Sequence, residues 1–407
     1  MNVDDIVRDA LREQAAEQAP AAAGFADRVL TVRRRRRTRR IVLGAAAAVA
    51  VIAVGVTVPL MDSGKDDVRP SGGIVAPKKV ESRPDQSPPR DRISVGGTTL
   101  AGYSVPKKVR KSADSAVYER TYYLLNPKTG RYDKAADWSW VAVAPGGKTA
   151  AVLERALPAS RIGLLDLTTG KVERWIDVDH GVGGLTFSRD GRKLVATTYS
   201  ANPDRLIKAQ GNVEWVPPWT SSRTGFYVLD LASGDGAWTE IKLAGDSDDP
   251  LGGTMLNSRQ DFSLTDDGRH VWEGRPTEPG YVFYDLTGKE VPVPAGYTYL
   301  DWSVDAGRSP DGKLVAGGFA GKKWKTSSYV FDARTGKKTE VRGQQLIAWV
   351  GNEQLIAWDM GENDKNEHHN RLVLVTLGSD KEIPLSGFRR GDTPDGAGRW
   401  EPLFAQP

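Results

Sequence analysis

The sequence predicts an all-β fold: a six-bladed β-propeller, preceded by a single transmembrane helix and a short helical cytoplasmic tail. Three observations predict it. A strand followed by an acid or asparagine and a glycine turn recurs six times between residues 122 and 378. Asp-Gly or Gly-Gly turns, each followed by an apolar strand, interleave with it. An uncharged run of 21 residues, 41–61, follows seven arginines in eight positions.

The N-terminal element is set by charge. The chain of 407 residues has a net charge of +4, and residues 1–40, with ten arginines against six acids, account for all of it. The remaining 367 residues sum to zero. The positive charge therefore concerns membrane orientation, and no nucleic-acid partner is expected. Val3, Ile6, Val7, Ala10 and Leu11 share one face of a helix over residues 4–18, with Asn2 or Asp4 as cap and Pro20 as stop. Isolated helices this short are marginal in water, so Val3, Ile6, Val7 and Leu11 are the candidate face for a partner. A solvated tail that only fixes topology and touches anionic lipid is the alternative.

Residues 41–61, IVLGAAAAVAVIAVGVTVPLM, would reach about 31 Å as a helix, against a hydrocarbon core of about 30 Å. The arginines before them place residues 1–40 in the cytoplasm and the rest outside. A cleaved signal peptide fits poorly, because the charged region is long and no A-x-A-like site follows. Residues 62–95 contain five prolines and mixed charge, and read as a disordered linker holding the outer domain, 96–407, off the membrane.

All 12 tryptophans and 12 tyrosines lie in residues 103–400. One repeated element is YYLLNPKTG (122–130), IGLLDLTTG (162–170), FYVLDLASG (226–234), VFYDLTG (282–288), YVFDARTG (329–336) and the degenerate VLVTLG (373–378). The second is APGGKTAAVL (144–153), SRDGRKLVAT (188–197), TDDGRHVWEG (265–274) and SPDGKLVAGG (309–318), with VGNEQLIAW (350–358) altered. Each unit thus reads as strand, DG turn, strand, loop, strand, TG turn, strand, which is a propeller blade. The 312 residues of the domain give 52 per blade for six blades and about 45 for seven, so both counts stay open.

SPDGKLVAGG and FSRDGRKLVAT, each followed by an apolar strand, Asp and TGK, resemble the TolB-like, or WD-repeat-like, propeller repeat. The resemblance covers most of 96–407 and implies architecture, not activity. The WD signature itself is lacking: Trp358-Asp359 occurs once, at another strand position. The order of tail, arginines, span, proline-rich stalk and propeller is similar to actinobacterial membrane proteins that pair with extracytoplasmic-function sigma factors. That second resemblance implies a sigma factor as partner of the tail. The zinc motif of anti-sigma factors is excluded, since the chain has no cysteine.

No catalytic, cofactor-binding or metal-binding residues are assigned, and the protein is expected not to be an enzyme. Ser188-Arg-Asp190-Gly191 has Asp and Gly adjacent, so it reads as a turn and not as a sialidase Asp box. Of four histidines, His180 and His270 are placed beside turns, and His368-His369 in a hairpin tip. The acids of AGDSDDP (244–250) lack calcium-loop spacing. Trp138, Trp140, Trp302 and Trp349 are expected in inter-blade core. Trp215 and Trp219, in the longest gap between repeats (199–224), are the candidate rim-binding residues. The function expected is a membrane-anchored, extracytoplasmic binding or sensing module with an unidentified envelope ligand. An envelope hydrolase or lyase and a purely structural scaffold are the alternatives.

Overall fold

The computed structural model describes residues 79–208, 215–218, 221–241, 259–275, 280–361, 368–390 and 399–407. The expected tail and span, with Val3, Ile6, Val7 and Leu11, lie outside the described residues. Among the described residues none is helical, and no helix is long and apolar enough to cross a membrane.

Among the described residues the first strands are β1 (Val80–Glu81) and β2 (Ser94–Val95), followed by a long hairpin of β3 (Thr98–Arg110) and β4 (Ser115–Asn126), backed by β5 (Arg131–Ala135). Next come β6 (Trp138–Val143), β7 (Thr149–Glu154), β8 (Ala159–Asp166) and β9 (Lys171–Phe187). β9 is shared: residues 171–177 pair with β8, and 182–187 pair with β10 (Lys193–Tyr199). Between β10 and β13 (Arg223–Asp230), which pair, the chain inserts β11 (Arg205–Lys208) and β12 (Trp215–Val216). β14 (Gly236–Glu240) closes this sheet.

Two four-stranded antiparallel sheets and a three-stranded one follow. They are β15 (Ser263–Leu264) to β18 (Glu290–Val291) through β16 (His270–Gly274) and β17 (Tyr281–Asp285); then β19 (Leu314–Phe319), β20 (Ser327–Asp332) and β21 (Lys338–Arg342); and β22 (Gln345–Val350), β23 (Gln354–Asp359), β24 (Arg371–Thr376) and β25 (Glu382–Pro384). β26 (Glu401–Ala405) returns to pair with β3, from Glu401 opposite Ser104 to Ala405 opposite Thr99.

The turns form for local reasons. Asp166 accepts the Thr168 N–H at 2.6 Å and the Gly170 N–H closes on the Asp166 carbonyl at 2.8 Å, with Gly170 at φ 70°. An L side chain at that φ is strained, so the TG position requires glycine. In the second turn type the Ser188 hydroxyl donates to Asp190 at 2.6 Å and accepts the Lys193 N–H at 2.9 Å. Ser309 and Asp311 repeat the bond at 2.8 Å, and Thr265 and Asp267 at 2.6 Å.

The expected disordered linker, 62–95, needs correction where it is described. Residues 79–95 are built into the domain: Ile93 and Val95 are fully buried in a core cluster with Trp358 and Trp400. The Arg83 N–H donates to the Leu385 carbonyl at 2.8 Å, and Gln86 accepts the Arg90 N–H at 2.8 Å. Proline-rich composition disfavours an autonomous core, but two aliphatic side chains and a few backbone bonds suffice against one that already exists.

The first described segment and the C-terminal strand meet in that cluster. Trp400 is fully buried, edge-on to Trp358 at 5.1 Å and Tyr103 at 5.6 Å, and its indole N–H donates to Ser87 at 3.1 Å. Arg389 lies over the Trp358 ring at 3.7 Å and donates to the Trp400 carbonyl at 2.8 Å; burial pulls its pKa down to about 10. Replacing Trp400 by Ala removes the side chain that seats β26, and truncating a buried tryptophan costs about 3–5 kcal/mol. We expect W400A to lower the urea midpoint by a corresponding amount; a loss below about 1 kcal/mol would show that the closure does not depend on this indole.

Candidate functional site

The β3–β4 hairpin overshoots its own sheet. Beyond Ser104, where pairing with β26 ends, β3 continues to Arg110, opposite Ala116 of β4. The free end of β4 then pairs with β11, placing Val117 opposite Arg205, Ala116 opposite Leu206 and Ser115 opposite Ile207. β11 belongs to the 199–224 insertion between strands of another sheet, so the four strands β3, β4, β11 and β12 form a strap joining the two. Its hairpin turn is tied by the Lys111 N–H to the Ser115 carbonyl at 2.8 Å.

A charge cluster anchors the strap. Arg120 of β4 donates two bonds to Asp204, at 2.7 and 3.0 Å, and Arg259 donates to the same carboxylate at 2.6 Å. Arg259 also reaches Asp261 at 3.2 Å, and the Tyr199 hydroxyl donates to Asp261 at 2.7 Å. The Trp140 ring faces both guanidiniums, with Arg259 at 3.7 Å and Arg120 at 4.9 Å from its centroid. Burial alone would raise the Asp204 pKa, but Arg259 and Arg120 override it and hold the carboxyl below its ordinary value. Burial likewise opposes the charge of Arg259, and Asp261 and Asp204 more than offset it. Glycine at 184 matters here, because a Cβ would run into the Asp261 carboxylate.

Beside the cluster a cavity of about 60 Å³ is lined in part by Tyr118, Arg120, Trp138, Ser139 and Asp204. That volume holds a few waters rather than an organic substrate. A second buried cluster joins β13 to β16: Arg223 and Arg275 both pair with Glu273, which is fully buried and also accepts the Tyr284 hydroxyl at 2.8 Å. Asp305 is solvent-exposed. Gln345 donates to it at 3.4 Å. Among the described residues no group of three or more acids and histidines is arranged to hold a metal.

Of the residues singled out from sequence, Trp215 lies on the strap, half-buried in β12 opposite Lys208, with Arg110 over its ring at 5.7 Å. Trp219 lies outside the described residues, as does AGDSDDP (244–250). Trp349 is buried as expected, but Trp302 is 43% exposed and is no core residue. Trp138 and Trp140 are half-buried; Trp138 packs on Trp175 at 6.3 Å, and Trp140 stacks under arginines. His180 is not at a turn. It sits within β9 and stacks on Trp238 at 3.6 Å. His270 does follow its turn, and His369 stacks on Phe388 at 4.8 Å. Arg120, Asp204, Arg259 and Asp261 escaped sequence reading. Their only trace is the unusual length of the 199–224 gap, which marks an insertion without naming its partners.

Successive antiparallel sheets, with the C-terminal strand completing the N-terminal one, define the class: a β-propeller. No protein-family model and no curated protein sequence matches the chain. Among solved structures it is similar to TolB from Acinetobacter baumannii, at 14% identity and TM-score 0.41, over 77% of this chain and 67% of that one. It is also similar to the propeller domain of the Trilobed protease from Pyrococcus furiosus, at 16% identity and TM-score 0.37, over 69% and 83%. A third likeness is Pyrococcus horikoshii acylaminoacyl peptidase, at 15% identity and TM-score 0.39, over 73% of this chain and 47% of that one, about half its length. The fold assignment rests on the strand topology.

One prediction concerns these groups. D204N leaves two guanidiniums facing a neutral amide, and breaking a buried ion cluster costs about 3–5 kcal/mol. K111A breaks only the exposed pair of Lys111 with Glu119 at 2.6 Å and costs at most about 1 kcal/mol. Equal urea midpoints for the two variants would refute the anchoring role.

Proposed function

We propose that this chain is a single-span membrane protein whose extracytoplasmic propeller binds a protein or envelope ligand while its cytoplasmic tail engages a regulator, an extracytoplasmic-function sigma factor. The observation that carries the binding reading is the strap. It is additional to the repeating units, is anchored through Asp204, and holds side chains of β3, β4, β11 and β12 in fixed register. Rigid scaffolds that display inserted segments are where binding surfaces are commonly built.

We further propose six blades. β26-β3-β4-β5 is one, and β6 to the first half of β9 the next. The second half of β9 with β10, β13 and β14 is the third, and β15–β18 the fourth. β19–β21, extended by the bridge of Arg308 with Val315, make the fifth, and β22–β25 the last. The span and its orientation rest on residues 41–61 and the arginines before them.

The test is site-specific photocrosslinking in cells of the full chain. Probes at Val7 and Leu11 should capture a cytoplasmic protein, and V7D/L11D should reduce that capture at least about tenfold. Capture of lipid alone, with gene expression unchanged on deletion of residues 1–20, would remove the regulatory half. A probe at Trp215 should capture an envelope component; its silence would sink the binding half.

A further inference from the structure

The strap has two unlike faces. Register places Ala116 and Leu206 on one face, where both are buried. The other face carries Val109 opposite Val117, and Ile207 opposite Val216, all half-buried. Exposed Lys107, Lys111 and Arg205 border this aliphatic patch. One acid, Glu119, shares the face, and it is already engaged by Lys111 at 2.6 Å and Arg155 at 3.4 Å. On this face the register thus places three basic residues, Lys107, Lys111 and Arg205, against one acid, while Lys108, Arg110, Arg120 and Lys208 fall on the Ala116 face. Among the described residues, Lys107 and Arg205 have no carboxylate within ion-pair distance.

We propose that this outer face binds an extended segment of a partner protein that presents carboxylates around aliphatic side chains. The cations select for carboxylates. The patch formed by Val109, Val117, Ile207 and Val216 distinguishes a peptide from other polyanions. An acidic glycopolymer would call for aromatic platforms, and this face has none. An anionic bilayer would be met by the hairpin tip, but Ser112, Ala113 and Asp114 offer it no bulky apolar side chain and one negative charge. The inference deepens the binding-module reading by naming the chemistry of its ligand.

The experiment uses the full chain in neutral detergent micelles and a fluorescent twelve-residue peptide alternating Glu and Val, with binding read by anisotropy. Wild type should bind it and not the Lys-Val counterpart. Each exposed ion pair is worth up to about fivefold, so K107E/R205E should weaken binding at least about tenfold, and K107Q/R205Q by less. V117S should weaken it about threefold or more with the melting temperature within a few degrees of wild type. Undiminished binding by K107E/R205E overturns the proposal. Inorganic polyphosphate binding as tightly as the peptide, and indifferent to V117S, also overturns it by making the face a general polyanion site. Failure here with continued crosslinking from Trp215 in cells would leave the binding module standing and remove only its assigned ligand chemistry.

Discussion

Everything in the domain depends on its last strand, β26, lying in the same sheet as β3, more than 290 positions earlier. β26 completes the sheet of β3 across nearly the whole length of the domain, and its entropic cost of closure is met by burying Trp400 among Tyr103, Trp358, Ile93 and Val95. Without that strand the first sheet would present an open edge at Thr99–Ser104, where unpaired backbone groups invite pairing with other chains. Arg389 adds direction to the seat, because its guanidinium lies on the Trp358 ring while donating to the Trp400 carbonyl.

On this closed frame the strap is a second, independent long-range contact. The β3–β4 hairpin would be a poor structure alone, since two strands without a packed face are marginal in water. Pairing with β11 widens it, and the Asp204 carboxylate, shared by Arg120 and Arg259, ties it to the inner strands. A satisfied buried charge cluster adds little net stability, yet removing one member is costly because it leaves its partners buried and unpaired. The bidentate bond from Arg120 holds β4 against Asp204 in the observed register.

The turn chemistry was legible in the sequence because it is local. Asp166 and Gly170, or Ser188 and Asp190, lie within a few residues of each other, and their side chains bond the backbone of the same turn. The repeat of strand, DG turn, strand, loop, strand, TG turn, strand could therefore be read directly. The tryptophans were less legible. Trp349 and Trp302 both stand near turns, yet one is buried and the other 43% exposed, a difference set by which neighbouring strand covers each ring.

By itself the sequence determined the fold class, the turn positions and the order of strands within each unit. It also marked 199–224 as an insertion. The tertiary structure decided the rest: that residues 79–95 join the core, that β26 returns to β3, and that Arg120 meets Asp204, 84 positions away, with Arg259 a further 55 along. The division has a physical reason. Backbone conformation and turn hydrogen bonds are chosen among near neighbours, whereas pairing between distant strands is chosen by which surfaces, once folded, can bury their side chains and satisfy their charges together.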